Sequence, residues 1–474
     1  MSLAPVWDIS NPSTDLDLST EAFDWHEIRE QAVDVSNKQN YRLYTTDQEA
    51  FFLPSSAHLQ FDFQVKKSNG DALAESDYTA LVADSLSCFE DIVLRFDNNE
   101  MARLNKPGKA HYMKALCEYS EEFAKSVASN HRFYPDSASD FGLDSTVEQT
   151  EIIVGGDLTG APINSRTTPK GMFQPLQMVY TASDPSLASG DIRKNPNYNP
   201  GFRQRVQNST GKVTAFVPLS ECFPILEQYN RVMKGLRLEV EANKVSQVPE
   251  ATFGALVGTP TLEISRISMW IARVKPSLAV LKSVENTLVS NSQARFNYDH
   301  MEHFALENVD KATTSRTWRI ASEHAKPLKL IVGFQRTDRK TNHKLNTLEF
   351  DTNNVSSIHV RINGVQYPVE QYQPSNPHDV NRIVSDIYRV GCKNDGQSSS
   401  LITRDNWDSH NALYVFDLNY QPESSLRQRQ VAEVELRWTL SSAPSVNYDV
   451  QAVLFSDRQV EIDMKNGKVS IKRL

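Results

Sequence analysis

Apolar side chains alternate with polar ones, position by position, along much of this chain. Ala57, Leu59, Phe61, Phe63 and Val65 alternate with His58, Gln60, Asp62, Gln64 and Lys66. Ala432, Val434, Leu436, Trp438 and Leu440 form a second such ladder, and Ala412, Tyr414, Phe416, Leu418 and Tyr420 a third. Further ladders occur at Ile92-Leu94-Phe96, Leu236-Leu238-Val240-Ala242, Leu328-Leu330-Val332-Phe334 and Val446-Tyr448-Val450-Ala452. A period of two sets one strand face on a core and the other in water or on a neighbour. At 262–274 the alternation slips one place after Ile264 and resumes at Ile267, Met269 and Ile271, the mark of a bulge. Strands separated by turns dominate and βα alternation is absent, so the expected class is all-β and antiparallel.

Two segments read as helix. At 376–391, Asn376 caps, Pro377 suits the first turn and Gly391 sits past the end, with Val380, Ile383, Val384 and Ile387 on one face. At 110–128, Tyr112, Leu116, Tyr119, Phe123 and Val127 recur at helical spacing. These helices expose an internal duplication. Ile92–Phe96 is followed by the turn Asp97-Asn98-Asn99, Pro107 and a helix from about 110; Ile358–Ile362 is followed by the turn Asn363-Gly364, Pro374 and a helix from 376. The strand-to-helix spacing is 18 residues in both (92 to 110, 358 to 376). A ladder precedes each unit, at 57–65 and 328–334, and three follow: 213–219, 236–242 and 262–274 in the first, 412–420, 432–440 and 446–455 in the second. A shared order of this kind is a repeat of whole domains rather than a solenoid.

The copies differ between helix and next strand. Residues 129–200 form an insertion rich in Ser, Asp, Gly, Pro and Asn, expected as a surface loop that carries recognition, with a plain disordered loop as the alternative. Residues 1–34 hold eight acids against one base, Arg29, with Trp7, Phe23 and Trp25 among them; this reads as an arm that docks elsewhere or as a disordered tail. The expected division is therefore an acidic arm over 1–44, a first unit over 45–280 and a second over 281–474 with a basic tail.

Composition narrows the function. At 474 residues the chain exceeds the roughly 250–300 that one core supports. A net charge of −9 gives the whole chain no phosphate-binding character. Cys88, Cys117, Cys222 and Cys392 lie far apart, as expected of free thiols in a reducing compartment. The start carries no signal-peptide pattern and no run reaches about 18 apolar residues, so a soluble protein made inside the cell is expected. The sequons at Asn208 and Asn354 are read as chance.

No motif carries catalysis. His300 and His303 face opposite sides of a strand, which argues against a metal site. Gly155-Gly156-Asp-Leu-Thr-Gly160 lacks the Lys-Ser/Thr of a P-loop and reads as a turn. Arg193, Lys194, Arg203 and Arg205, with Tyr198 and Phe202, make a basic aromatic patch, read as a solvated loop base or subunit contact ahead of a nucleic-acid grip. The tail Met464–Leu474 has four bases and no acids and reads as exposed or as a clamp between assemblies.

Two successive antiparallel units, each interrupted by a helix, resemble the double jelly-roll major capsid proteins. That family includes the hexons of adenovirus-like viruses and the capsid proteins of Polinton-like, adintovirus-like and large DNA viruses. Ser220-Glu-Cys-Phe-Pro224 and Met233–Glu241 resemble the family's strand pair around an apolar capsomer contact. Leu262–Lys275 is similar to the last strand of its first jelly roll, and Pro327–Phe334 with Asn354–Pro368 to the opening of its second. The resemblance covers most of 45–474 as an order of elements and is most specific in 213–275 and 327–368.

It implies two tandem antiparallel jelly-roll β-sandwiches with one short helix in each; the residues themselves mark Asn363 and Gly364 as a turn and Asn376, Pro377 and Gly391 as the ends of the second helix. It further implies a homotrimer forming a pseudo-hexagonal capsomer, capsomers tiling an icosahedral shell, no cofactor, no catalysis and no sequence-specific nucleic-acid binding. The insertion would lie outside the shell and the acidic arm beneath it. Arm and tail would meet penton and minor capsid proteins, an acidic arm suiting basic patches on neighbours. The protein would reside in the virion, made in the host cytoplasm with assembly there or in the nucleus. Two alternatives remain open: a double β-sandwich hydrolase of glycans or glycopeptides, and a minor capsid or receptor-binding module of the same fold.

Overall fold

Ladders of this kind must find neighbours to satisfy their backbone polar groups, and the chain supplies them in two groups of eight. The computed structural model describes residues 20–30, 35–47, 50–74, 77, 79–136, 145–147, 166–168, 204–205, 208–254, 256, 258–290, 293–391, 399–408, 410–418, 431–463 and 468–472. The first group comprises β1 (Thr20–Arg29), β2 (Asn40–Tyr44), β3 (Phe51–Lys66), β4 (Phe89–Phe96), β5 (Asn99–Asn105), β6 (Val213–Pro218), β7 (Leu238–Lys244) and β8 (Thr261–Pro276). They form two sheets ordered β1-β8-β3-β6 and β2-β7-β4-β5. The second comprises β9 (Gln293–Val309), β10 (Ser315–Ala325), β11 (Pro327–Arg336), β12 (Val355–Ile362), β13 (Val365–Tyr372), β14 (Leu413–Asp417), β15 (Val431–Leu440) and β16 (Tyr448–Asp463). Its sheets run β9-β16-β11-β14 and β10-β15-β12-β13. Adding eight to each strand number of the first pair of sheets generates the second pair, so the duplication reaches all sixteen of these strands and their order in the sheets. All these pairings are antiparallel, and two facing four-stranded sheets in this order make a jelly roll.

Each core forms where the inward ladders meet. Ala57, Leu59, Phe61, Phe63 and Val65 of β3 are all buried. Phe61 reaches Phe89 of the opposing sheet at 4.9 Å between ring centroids, and Phe334 reaches Trp438 at 5.8 Å in the second unit. Truncating either phenylalanine to alanine would cost roughly 3–5 kcal/mol. The slip in β8 is a break in register between Ile264 and Arg266.

Several expectations are revised. The segment read as an arm contributes β1 and β2 to the two sheets of the first unit, because the acids of β1 face bases on β8: Glu21 lies 2.9 Å from Lys275 and Asp24 3.0 Å from Arg273, while Glu27 pairs with Arg266. Residues 1–19 and 31–34 lie outside the described residues. The helix read over 110–128 is α1 (Pro107–Glu118), followed by a separate turn of helix at Glu121–Lys125 that Ser120 caps by accepting from Phe123 N. Both main helices start on a proline, Pro107 and Pro377, which lie 15 and 19 residues beyond Ile92 and Ile358, so the equal spacing of 18 does not hold. An unforeseen helix, α2 (Leu278–Ser290), joins the units. The third labelled helix, α3 (Pro377–Asp386), runs on as a π-helical turn through Gly391, so this glycine lies within the last turn instead of past it. The insertion begins later than 129, since Phe133 and Asp136 are buried; 137–144, 148–165 and 169–203 lie outside the described residues. Lys468–Lys472 of the basic tail pairs back along β16. Among the described residues no helix is long and apolar enough to cross a membrane.

Candidate functional site

Helix α1 is buried along its whole length even though it carries Lys109, His111, Lys114 and Glu118. It is wedged at the seam of the two sandwiches, against the 85–88 turn, β4 and β5 of its own unit and against β9, β16 and the 387–391 turn of the other. Charges in such a place persist only if each meets a partner. His111 Nδ1 lies 2.5 Å from Asp84 and its Nε2 3.0 Å from the Tyr119 hydroxyl, with Glu221 at 3.6 Å. Burial opposes its charge, but Asp84 and Glu221 outweigh burial and hold the imidazole up at about 9. Lys114 donates to Glu221 at 2.9 Å; burial works against its charge, but Glu221 and Glu118 raise it above the ordinary lysine range. Glu250 takes Lys109 and Lys106 at 2.7 Å each, and against burial the two ammonium groups bring its carboxyl down to about 2.

The second unit reads the outer side of this network. Lys329, on the outward face of β11, donates to Glu118 at 2.8 Å and stands 4.4 Å from the centre of the Phe455 ring. Asn346 donates to Asp136 at 2.9 Å, Thr347 Oγ1 to the Glu250 carbonyl at 2.6 Å, and the Tyr298 hydroxyl to the Met101 carbonyl at 3.3 Å. The outward face of the second unit's first sheet is thus covered by the first unit.

Among the described residues, nothing of the second unit covers the matching face of the first unit. Across β1, β3 and β6 the outward side chains form a chain of rings: Phe23 to Trp25 at 6.4 Å, Trp25 to His58 at 5.8 Å, and His58 stacked on Phe216 at 4.6 Å. Phe23 and Trp25 are 55% and 48% exposed. Partial burial lowers the His58 pKa, against a contact with the Ser56 carbonyl that raises it.

The residues singled out in the sequence fall in separate places. Asn363 and Gly364 have φ of +47° and +85° in the two-residue turn from β12 to β13, and Asn363 Oδ1 accepts from Glu433 N at 2.9 Å. Asp97 and Asn98 take the matching turn in the first unit, with φ of +47° and +67°. Asn376 accepts from His378 N at 3.2 Å and Pro377 opens α3. His300 and His303 are both buried on β9; His303 Nε2 lies 3.0 Å from Gln451 and His300 3.2 Å from Glu302. Among the described residues no group of three or more His, Cys, Asp or Glu is placed to hold a metal. Cys88, Cys117 and Cys222 are buried free thiols. Of the basic aromatic patch only Arg205 is described, and it is no solvated residue: it donates to both Asp136 oxygens at 2.7 and 2.8 Å and to the Leu81 and Tyr134 carbonyls, tying the two ends of the insertion together. Gly155–Gly160 and Cys392 lie outside the described residues.

Sequence reading missed the ionic residues of α1 and the ring cluster on the open face. The signal for the second was present, as Phe216 occupies a polar position of its ladder.

A family model described as a double jelly roll-like domain matches residues 190–460. None of the curated proteins searched matches the sequence. Among solved structures, a chain of the Sputnik virophage cryo-EM structure is similar at 10% identity and a TM-score of 0.54, covering 100% of this chain and 92% of that one. The Faustovirus major capsid protein gives 9% identity and a TM-score of 0.49 over 92% and 90% of the two chains. The mavirus major capsid protein gives 9% and 0.47 over 94% and 90%. At 10% identity the likeness to the Sputnik chain is one of fold.

Proposed function

Since the chain belongs to the double jelly roll-like domain family, whose model spans more than half of its 474 residues, we propose that it is a viral major capsid protein. Its role is mechanical, with no reaction catalysed and no cofactor. Three copies form a capsomer, and two sandwiches per copy give that trimer six similar walls, a pseudo-hexagonal block able to tile an icosahedral shell. The observation that carries this reading is the strand-for-strand repetition of one sandwich in a chain whose two halves are joined by a buried, ion-paired seam. Repetition supplies near-equivalent walls, and a rigid seam keeps them at one angle.

In the virion the copies would contact each other, neighbouring capsomers, and penton and minor capsid proteins. For the last contact the acids of residues 1–19 and the basic C-terminal end remain the candidates, since Glu21, Asp24 and Glu27 are engaged within the chain. The test is light scattering on the purified protein, followed by electron microscopy. A particle of about 160 kDa, three times 53.5 kDa, that packs into hexagonal arrays or shells is the expected result. A monomer at every concentration, with no ordered assembly, would refute it.

A further inference from the structure

The duplication and the seam together specify a surface. Within the chain, α1 of the first unit covers the outward face of the second unit's first sheet. The second unit carries the matching helix, and the first unit the matching sheet face. Among the described residues of a single copy, neither meets such a counterpart from the other unit. Helix α3 shows this directly: α1 is buried on all sides, whereas α3 buries Val380 and Ile383 and leaves Asn381, Ser385 and Tyr388 exposed, the last at 58%. The open sheet face bears the Trp25, His58 and Phe216 rings.

Residue equivalence sharpens the match. Both helices open on proline, and aligning Pro107 with Pro377 sets Tyr388 at the position of Glu118. The inward residues Leu59, Phe61 and Phe63 of β3 correspond to Leu330, Val332 and Phe334 of β11. Leu59 faces Val217 and Leu330 faces Phe416, each followed two residues on by a buried leucine, Leu219 and Leu418. That alignment sets His58 at the position of Lys329. The contact Glu118–Lys329 at the seam thus has as its counterpart Tyr388 against His58.

We infer that copies of this chain join through these surfaces, α3 of one copy lying on the outward face of β1-β8-β3-β6 of the next, with Tyr388 set among Trp25, His58 and Phe216. The ion pair of the internal seam is replaced by an aromatic contact at the external one. Such a contact is heterologous, helix to sheet face, and closes only as a ring, which three copies of two units complete. Aromatic anchors of this kind are what concentrates binding energy at the centre of an interface. The inference rests on the capsomer reading above and names the residues that reading leaves open.

The decisive experiment joins Tyr388→Cys and His58→Cys in one chain and treats the purified protein with a short bismaleimide. Covalent dimers and trimers on a denaturing gel are expected from the double variant, with none from either single variant. In parallel, Tyr388→Lys should weaken the trimer at least about tenfold by light scattering, and Tyr388→Lys with His58→Glu, which supplies an ion pair of the seam's kind with its polarity reversed, should restore it. A wild-type trimer that neither cross-links at these positions nor responds to Tyr388→Lys overturns this interface and leaves the capsomer reading standing. A wild-type monomer overturns both. Should Tyr388→Lys prevent folding, the cross-linking result decides alone.

Discussion

Replacing Lys329 by methionine removes the cross-seam partner of Glu118 while keeping the length and most of the volume of the side chain. Deleting one partner of a buried ion pair costs about 3–5 kcal/mol when the stranded charge has no other neighbour. Glu118 would retain Lys114 at 3.8 Å, and the Lys329 side chain is 17% exposed, so the expected loss falls to about 2–3 kcal/mol. The cation–π contact with Phe455 contributes about 0.5–1 kcal/mol of that loss. In urea, with a slope near 3 kcal/mol per molar, the unfolding midpoint should fall by about 0.7–1 M at fixed protein concentration. The companion variant Lys329→Met with Glu118→Leu removes both charges and should recover most of the loss, because an apolar pair in the same volume leaves nothing stranded. A midpoint shift below about 0.2 M for the single variant, or a double variant no more stable than the single one, would refute the claim that this pair locks the seam.

Acid should loosen the protein early. His131, His303 and His410 are held neutral, chiefly by burial, at about 4, 3 and 4. Their folded values lie below the unfolded value near 6.5, so stability falls as pH drops from 6.5 toward 4, by roughly 4 kcal/mol per unit for the three together; melts that stay level between pH 6.5 and 4.5 would contradict this. His111 has the opposite sign: raised to about 9, it stabilises fully below pH 6.5 and loses that contribution as pH climbs through 9, up to about 3 kcal/mol. His111→Gln should flatten the melting profile between pH 7 and 9.5, and an unchanged slope counts against the assignment. Gly108→Ala would place a methyl group 2.7 Å from Ser87 Cα and in overlap with its backbone nitrogen, prising α1 from the 85–88 turn; a cost of about 1–3 kcal/mol is expected in thermal melts, and a neutral variant would show that the helix has room to shift.

The parts legible in the sequence are those where one strand face is dry and the other wet. β3, β12 and β15 alternate over most of their length for that reason, and the turn Asn363-Gly364 was legible by its demand for positive φ. The two leading strands of each unit escaped notice. β1 is an edge strand whose outward side chains are mostly polar and ion-paired, and β2 has only five residues. β9 is buried on both faces, since Tyr298 and His300 point one way and Met301 and His303 the other, which erases a period of two. Helix α1 showed only its apolar and aromatic positions, because its charged residues are ordered by partners distant in sequence, Asp84 27 positions from His111 and Lys329 211 from Glu118. The open aromatic face left one sign, Phe216 at a polar position of its ladder, but Trp25, His58 and Phe216 converge only once β1, β3 and β6 share a sheet.

The ion pair of Asp136 with Arg205 sets what evolution can do with the segment between them. Both ends of the insertion are fastened at a single buried point that also receives Asn346 from the other unit. For a chain closed at its base, each doubling of length costs only about 0.6 kcal/mol of closure entropy. Sequence and length can therefore change above that point while the strands below keep their register. Substitutions between Asp136 and Arg205 can then accumulate without disturbing the sandwiches, and foreign sequence grafted between residues 137 and 204 should leave both sandwiches intact.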